Sequence, residues 1–454
     1  MIEIEKNRTM GKLKLTSSQI IVIGFASVIV MGAILLSLPI ASISGKSIGF
    51  INALFTSTSA VCVTGLVVVD TATYWTTFGQ TIIILLIQVG GLGFMTMATF
   101  FALIIRRKIT LRERLVIQEA LNQFNTAGVV RLTRYVLITT FIIEGIGAFL
   151  LSLRFIPMYG TYKGIGMSLF HAISAFCNAG FDLMGNFTSL TRFADDFLIN
   201  FTICGLIILG GLGFTVIVEV LQKRKFAKYS LHTKLVLYIT GILILFGFLS
   251  VFLLEYSNEA TLGSLPFKGK VLSALFHGVT PRTAGFNTLP MDQLSMATVF
   301  ITIVLMFIGG SSGSTAGGVK TTTAGVIVWT IICVIKGKED TEVFKKRIPR
   351  DIVNRSLAVI GISMALIIGV TMILSITDNN HSFIEIFFEA TSAFGTVGLS
   401  LGITPSLSIM GKIVVIFTMF AGRVGPFTIA LALAKMQQKN KGLIKYPEER
   451  VIVG

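Results

Sequence analysis

Four short apolar segments of one type recur along the 454-residue chain, and each ends in a glycine followed by one apolar residue. They read SAVCVTGL, SAFCNAGF, VTPRTAGF and SAFGTVGL. The four glycines are Gly65, Gly180, Gly285 and Gly398. Glycine adopts positive φ without a steric penalty, so it can turn neighbouring backbone carbonyls towards a common point. Because carbonyl oxygens can replace the hydration shell of a cation, this pattern predicts a cation site made of main-chain oxygens.

The two residues before each glycine extend the predicted site. We expect the carbonyl oxygens two positions before the glycines to coordinate the cation, and these belong to Val63, Asn178, Thr283 and Thr396. The residues in between line the same path, and these are Thr64, Ala179, Ala284 and Val397. A short helix before each segment would add about half a negative charge if its C-terminus points at the ion. The alternative is that the glycines only allow close helix packing, but four copies in register favour a filter.

The third repeat carries a polar stretch, GGSSGSTAGGVK, where the other repeats have an apolar span with a glycine cluster. A helix that faces lipid would not contain so many small polar residues and glycines. We therefore expect an unwound loop that crosses the cavity beneath the filter and acts as the gate. Its residues are Gly309, Gly310, Ser311, Ser312, Gly313, Ser314, Thr315, Ala316, Gly317, Gly318 and Lys320. A phosphate-binding loop is excluded, because Val319 separates Gly318 from Lys320 and no strand precedes the stretch.

An arginine, Arg423, stands in the glycine cluster of the fourth repeat, where the other copies have leucine or serine. An arginine inside a membrane segment faces protein or water and commonly has a function. Near the pore axis its charge would repel cations, so we expect a barrier below the filter. The alternative is a structural charge whose partners are carbonyl groups or the polar loop. Arg282, in the third short segment, is expected to brace the filter from behind.

The composition is typical of a membrane protein, with 53% hydrophobic residues, 13% charged residues and a mean hydropathy of +0.83. Eight spans of about 20 apolar residues or more could each cross the ~30 Å hydrocarbon core. They lie near residues 20–38, 81–105, 135–153, 197–220, 235–254, 298–335 (interrupted), 357–376 and 413–433. The short segments between the spans are too short to cross as helices, so we expect them to be re-entrant.

Each repeat is thus predicted to contain a first span, a re-entrant pore loop and a second span. Four units in one orientation predict an all-α membrane protein with pseudo-fourfold symmetry around one pore. We place the repeats at residues 1–130, with the N-terminal tail and a cytoplasmic loop, 131–230, 231–350, with the gating loop, and 351–454, with the C-terminal tail.

The formal net charge of +16 would suggest nucleic-acid binding in a soluble protein, but the distribution of the charges argues otherwise. Of the 38 Lys and Arg residues, 28 lie in the two tails and in alternate loops. The positive-inside rule makes these loops and both termini cytoplasmic. The basic character therefore reflects topology, and we expect a lipid bilayer rather than nucleic acid as the partner. The longest basic loop, residues 106–123, is periodic enough to be helical.

These motifs resemble the Trk/Ktr/HKT superfamily of potassium transporters over nearly the whole chain. The resemblance rests on the single filter glycine in each repeat, the GGSSGSTAGGVK loop and the AGRVGPFT stretch. QEALNQ, VTPRTAGFN, SAFGTVGL and the closing YPEERVIVG are most similar to bacterial Ktr-type membrane subunits. It implies potassium uptake across the bacterial plasma membrane, with the filter at the four glycines, the gate at residues 309–318 and a pore arginine at Arg423. Some plant relatives have serine at the first filter position and favour sodium, so Gly65 supports potassium.

The resemblance also implies partners. It suggests a homodimer in which each chain has its own pore, seated on a cytosolic KtrA-like ring of nucleotide-binding RCK subunits. No cofactor is expected in this chain: ATP or ADP would act on the ring, and Na⁺ is a possible activator. We expect the ring to dock on residues 106–123 and the basic loops. One alternative is a sodium-selective or sodium-coupled transporter of the same superfamily. Another is an intramembrane enzyme, but the sequence offers no nucleophile with an accompanying general base.

Overall fold

The computed structural model describes residues 16–105, 109–120, 128–425 and 449, and this part of the chain is almost entirely helical. Its α-helices are α1 (Ser17–Leu36), α2 (Phe50–Val61), α3 (Thr71–Tyr74), α4 (Thr77–Leu92), α5 (Phe94–Ile104), α6 (Leu111–Ala120), α7 (Val129–Tyr159), α8 (Thr161–Phe176), α9 (Phe197–Leu212), α10 (Phe214–Lys223), α11 (Leu231–Glu255), α12 (Phe267–Val279), α13 (Met296–Phe307), α14 (Thr321–Ile335), α15 (Arg350–Thr377), α16 (Phe383–Gly395) and α17 (Ile409–Val424). Two short strands, β1 (Glu342–Val343) and β2 (Lys346–Arg347), pair antiparallel between α14 and α15. Short 3-10 turns lie at Pro39–Ala41, Thr191–Phe193, Phe226–Lys228, Met291–Gln293 and Thr404–Ser406, and a π turn lies at Glu259–Gly263.

Within the described residues, four long apolar helices begin the four repeats. These helices, α1, α7, α11 and α15, have 20, 31, 25 and 28 residues. At 1.5 Å per residue, each is long enough to cross about 30 Å of hydrocarbon. Only 28–33% of the residues in their apolar windows are buried in the protein. The remaining apolar surface suits contact with lipid, and the predicted helical membrane protein is confirmed.

A shorter helix follows each long helix and packs against it. These helices are α2, α8, α12 and α16, and they contain 12 to 16 residues. They are too short to cross the bilayer. A buried hydrogen bond of 2.7 Å, donated by Ser57 Oγ to the Ile29 carbonyl, fixes α2 on α1. The short helices therefore end inside the protein, where the predicted filter segments begin.

The second spans are broken, which corrects the prediction of continuous helices at 81–105 and 197–220. Gly93 separates α4 from α5 and Gly213 separates α9 from α10, with φ of 82° and 94°. The axes of α9 and α10 differ by 98°. A residue in the left-handed region cannot continue a right-handed helix, so the chain turns at these glycines. α17 likewise ends before Gly425, whose φ is 93°, and the rest of the predicted span at 413–433 lies outside the described residues.

The repeats contact one another in a cycle. The helix that follows the filter segment in each repeat packs against the short helix of the next repeat: α4 on α8, α9 on α12, α13 on α16 and α17 on α2. The last of these contacts brings the fourth repeat back to the first. Phe55 of the first repeat and Val415 and Met419 of the fourth share one buried cluster. This cyclic packing places the ends of the four short helices around one centre.

The predicted helix at residues 106–123 is present as α6, which begins at Leu111 and ends at Ala120. Its flanks, residues 106–108 and 121–127, lie outside the described part of the chain, as do the N-terminal tail and most of the C-terminal tail. α6 packs against α1, where the Ser18 hydroxyl donates to the Glu119 carboxylate. The first basic loop is therefore attached to the first long helix.

Candidate functional site

The structure brings the four predicted filter glycines together in a closed ring. A β-carbon placed on Gly65 would lie 2.5 Å from the Ala179 carbonyl oxygen, one on Gly180 would lie 2.9 Å from the Ala284 oxygen, and one on Gly285 would lie 2.7 Å from the Val397 oxygen. A β-carbon on Gly398 would overlap the Thr64 oxygen. Each filter glycine thus faces the carbonyl of the residue that precedes the filter glycine of the next segment. Any side chain at these four positions would collide with that carbonyl.

The backbone of each filter segment is left-handed at two positions. The glycines have φ of 88°, 70°, 80° and 88° in chain order. The residues two positions earlier also have positive φ, and these are Val63 (58°), Asn178 (60°), Thr283 (70°) and Thr396 (51°). For a residue with a side chain this conformation costs about 1–2 kcal/mol. Four strained residues at one repeat position indicate a functional constraint on the backbone, and residue type alone did not predict the strain.

A hydroxyl group at the start of each segment holds the filter backbone. The Oγ atoms of Ser59 and Ser392 accept hydrogen bonds from the amides of Gly65 and Gly398, both at 3.1 Å. In the second and third repeats the hydroxyl donates instead to the carbonyl that follows the filter glycine. These bonds join Ser174 to Phe181 at 2.7 Å and Thr280 to Phe286 at 2.5 Å. These hydroxyl residues were not predicted as part of the site. The three serines lie six residues before their filter glycines, whereas Thr280 lies five residues before Gly285.

The short helices end beside the ring. α2, α8, α12 and α16 end three to six residues before their filter glycines. The C-terminus of a helix carries about half a negative charge because its last carbonyls have no intrahelical partner. The ring therefore combines main-chain oxygens with four negative helix ends, and this arrangement favours a cation over an anion.

The glycine clusters of the second spans serve close packing. In the first, second and fourth repeats, a β-carbon on Gly90, Gly210 or Gly422 would overlap a carbonyl at the end of a short helix. These carbonyls belong to Val61, Phe176 and Phe394, each four residues before a filter glycine. The packing interpretation, which the sequence analysis weighed for the filter glycines, thus describes the second-span glycines well.

The polar stretch of the third repeat is an unwound loop between α13 and α14, as predicted. Residues 309–318 and Lys320 are called the third-repeat loop here. Its backbone is bonded to the second repeat, since the Ser311 amide donates to the Gly211 carbonyl at 2.9 Å and the Phe214 amide donates to the Gly313 carbonyl at 3.0 Å. Near its end, Lys320 Nζ donates to the Ala316 carbonyl at 2.6 Å.

The same loop lies against the filter segments. A β-carbon on Gly309 would lie 3.2 Å from Thr283 Cγ2, and one on Gly317 would lie 2.9 Å from Thr396 Cγ2. Thr315 Oγ1 donates to the Phe176 carbonyl at the end of α8, at 3.2 Å. The loop therefore contacts the second, third and fourth repeats near the ring, where it can obstruct a central path.

Arg423 is bound to backbone carbonyls from two other repeats. Its guanidinium donates to the carbonyl of Thr315 in the third-repeat loop and to those of Gly90 and Gly91, the last at 3.1 Å. The side chain thus connects the end of α17 to the loop and to the first repeat. These contacts match the alternative of a partnered charge, and they leave the barrier role as a prediction. Arg282 donates to Thr240 Oγ1 of α11 at 3.2 Å, on the helix behind its filter segment.

A cavity of about 510 Å³ opens on the other side of the ring, and all four filter glycines line it. The acidic residues along its wall are Asp70, Asp182 and Asp292, and basic side chains are absent from the described residues that line it. Acidic side chains in a concave site raise the local concentration of cations. We refer to this cavity as the vestibule.

Comparison with known proteins shows that the chain is similar to cation transport proteins. The family model TrkH, described as cation transport protein, matches residues 8–443. Ktr system potassium uptake protein B of Bacillus subtilis is 45% identical, with 99% of this chain and 100% of that protein covered. Potassium/sodium uptake protein NtpJ of Enterococcus hirae is 43% identical, with 97% of this chain and 98% of that protein covered.

A solved structure supports the same relationship at the level of the fold. The potassium transporter TrkH from Vibrio parahaemolyticus matches with a TM-score of 0.74 and 18% identity, covering 95% of this chain and 88% of that one. The resemblance seen in the sequence motifs is confirmed, because the family model spans almost the whole chain and the two relatives align along nearly their full length. The chain belongs to the TrkH family of cation transport proteins.

Proposed function

We propose that the protein carries potassium into the cell across the plasma membrane, through a pore on the axis of the four filter glycines. The observation that supports this most directly is the closed ring, in which each filter glycine faces the carbonyl before the next one. Neutral carbonyl oxygens attract a dehydrated monovalent cation without the mutual repulsion of ionised ligands. The names of the Bacillus subtilis and Enterococcus hirae relatives, a potassium and a potassium/sodium uptake protein, support the choice of ion.

The proposed coordination uses the filter backbone alone. The carbonyls of Val63, Asn178, Thr283 and Thr396 hold the ion, and Thr64, Ala179, Ala284 and Val397 contribute a neighbouring layer. The left-handed backbone at Val63, Asn178, Thr283 and Thr396 determines the direction of their peptide groups. With one glycine per repeat the filter has few coordinating layers, so its preference for potassium over sodium is modest.

The third-repeat loop is the proposed gate, and Arg423 is the proposed barrier below the filter. The loop contacts three repeats near the ring, and it is bound to the second repeat through single hydrogen bonds that involve backbone groups. Such bonds can be exchanged for water when the loop moves. The guanidinium of Arg423 holds the loop at Thr315, so its charge and its hydrogen bonds both oppose the passage of cations in this conformation.

The proposed membrane layout has eight crossings, four re-entrant pore loops and pseudo-fourfold symmetry around one pore in each chain. The repeats occupy residues 1–130, 131–230, 231–350 and 351–454. The long helices are the first crossings, and the broken or interrupted second helices are the returning ones, with bends that line the cavity. Both termini lie in the cytoplasm, as the basic loops indicate.

The proposed assembly is a homodimer on a cytosolic ring of nucleotide-binding subunits. The name of the Bacillus subtilis relative, a Ktr system protein B, supports a system with more than one component. ATP or ADP acts on that ring, this chain binds no cofactor, and Na⁺ acts as an activator. The basic loops and α6 are the proposed docking surface.

A sodium-selective or sodium-coupled transporter is the second candidate, because the Enterococcus hirae relative is named for both ions. An intramembrane enzyme is not supported, since the chain belongs to a family of transport proteins. The membership thus confirms the prediction that the chain is not an enzyme.

Ion flux in liposomes tests the proposal. The purified chain is reconstituted alone and with its cytosolic partner, and potassium and sodium fluxes are measured at a fixed voltage, with protein-free liposomes as the control. We expect potassium flux to exceed sodium flux. Higher sodium flux, or potassium flux that requires a sodium gradient, would favour the second candidate. A lack of cation flux in both reconstitutions would contradict both.

A further inference from the structure

One position of the short helices carries a buried polar side chain in all four repeats. It lies three residues before Ser59, Ser174, Thr280 and Ser392, the hydroxyl residues that hold the filter backbone. The side chains are Thr56, His171, His277 and Glu389, which are 2%, 0%, 2% and 0% exposed. A buried polar group is costly unless it has a hydrogen-bonding partner. The partners of this position therefore indicate what the side chains hold in place.

Glu389 of α16 holds the chain that follows the fourth filter segment. Its carboxylate accepts hydrogen bonds from Ser400 Oγ at 2.7 Å and from Thr404 Oγ1 at 2.5 Å. Ser400 lies two residues after Gly398, and its Oγ atom is 3.1 Å from Thr404 Oγ1. Both hydroxyl residues line the vestibule. The carboxylate thus lies behind the filter and fixes the outer end of its fourth segment.

His171 of α8 has the corresponding contact in the second repeat. Its Nδ1 lies 2.7 Å from the Met167 carbonyl oxygen, so this nitrogen carries the proton and donates to Met167. The other nitrogen, Nε2, then accepts a hydrogen bond from the Leu183 amide at 3.3 Å. Leu183 lies three residues after Gly180. The second filter segment is therefore also held at its outer end by the short helix behind it.

The other two repeats use this position differently. His277 lies 3.0 Å from Thr302 Oγ1 on α13, and Thr302 donates its own proton to the Thr298 carbonyl. Thr56 donates to the Asn52 carbonyl in its own helix. The bond from the short helix to the chain beyond the filter is therefore formed in the second and fourth repeats, which lie opposite each other in the ring.

We propose that Glu389 and His171 are positioning residues for ion selectivity. From opposite sides, they fix the distance of the second and fourth filter segments from the pore axis. Selectivity between potassium and sodium depends on the spacing and stiffness of the coordinating carbonyls, and a brace at the outer end of each segment controls both. This inference rests on the proposed function of the ring.

The experiment compares the ratio of potassium to sodium flux in reconstituted full-length protein. Ser400 and Thr404 bond to different oxygens of the carboxylate, and in Glu389→Gln an NH₂ group, which only donates, replaces one of these two acceptors. Thr404→Val removes one donor at nearly constant size. We expect each change to lower the flux ratio about three- to tenfold, as for the loss of one hydrogen bond. In the double variant the flux ratio should fall by less than the product of the two single-variant factors, because both changes affect the same hydrogen bond.

His171→Phe tests the second repeat. The new ring keeps the aromatic packing against Phe155, whose ring centre lies 5.5 Å from that of His171, but it cannot accept from the Leu183 amide. The matched control is Thr391→Val in α16, since the Thr391 hydroxyl donates to the Phe387 carbonyl in the same helix. We expect His171→Phe to lower the flux ratio and Thr391→Val to leave it unchanged.

The outcomes separate this inference from the proposed function. If wild-type protein conducts potassium but Glu389→Gln and Thr404→Val keep its flux ratio, the inference fails while the proposed function stands. An equal change in Thr391→Val would also overturn it, because any disturbance of α16 would then suffice. If Glu389→Gln does not fold, Thr404→Val and Ser400→Ala decide the result. Absence of potassium flux in wild-type protein would contradict the proposed function itself.

Discussion

Gly398 lies against the carbonyl oxygen of Thr64, so the last filter segment of the chain closes onto the first. The contact repeats the one in which Gly65 of the first segment lies against the Ala179 carbonyl oxygen of the second segment. Four successive units therefore form a ring rather than an open row. Closure matters for the proposed function, because a cation must be surrounded by oxygens when it gives up its water.

The first prediction concerns the filter glycines. Gly65→Ala and Gly398→Ala should each lower the ratio of potassium to sodium flux by about tenfold, since the left-handed backbone and the overlap together cost at least about 1.4 kcal/mol. Serine at either position should also lower the ratio of potassium to sodium flux. The measurement is paired potassium and sodium flux in liposomes.

Gly45→Ala is the matched control for these variants. Gly45 also has positive φ, at 66°, but a β-carbon there would meet nothing within 4 Å. It should therefore show the cost of backbone strain without a change in the flux ratio. An unaltered ratio in both filter variants would contradict the assignment of these glycines.

The second prediction concerns the third-repeat loop. Deletion of residues 310–317 should raise cation flux severalfold and reduce the dependence on a cytosolic partner, because the bonds to Gly210 and Gly211 are lost. Thr315→Val should give a smaller increase, since it removes only the hydroxyl bond to Phe176. Thr371→Val, which loses a bond within α15, is the control. Lower or unchanged flux in a folded deletion variant would argue against a gate.

The third prediction separates two roles of Arg423. Arg423→Ala removes the charge and the hydrogen bonds, and it should increase cation flux. Arg423→Lys keeps the charge but not the planar guanidinium that reaches Thr315, Gly90 and Gly91 together. If the charge forms the barrier, the Lys variant should conduct like wild type. If the hydrogen bonds hold the loop closed, it should conduct like the Ala variant, and wild-type flux in Arg423→Ala would exclude both roles.

The ring and the loop could be predicted because they depend on residue types in register. Glycine at four equivalent positions and a polar stretch in an apolar span are visible in the sequence without any contact information. The bend at Gly213 was not predicted, since an apolar segment with glycines is compatible with both a straight and a broken helix. The left-handed Val63 and the hydrogen bond from Thr404 to Glu389 were also missed, because both are imposed by tertiary packing rather than by local preference.

The fourth prediction tests close packing in α9, where two glycines have opposite surroundings. A β-carbon on Gly210 would overlap the Phe176 carbonyl, whereas one on Gly205 would meet nothing within 4 Å. Gly210→Ala should destabilise the protein by about 1–3 kcal/mol through overpacking, and Gly205→Ala should stabilise it by about 0.5–1 kcal/mol because alanine favours the helix. Thermal unfolding in detergent should therefore shift down for the first variant and up for the second. Since Phe176 ends the helix that leads to Gly180, the Gly210 variant should also conduct less selectively, and a rise in the unfolding temperature for both variants would contradict the close contact between α9 and α8.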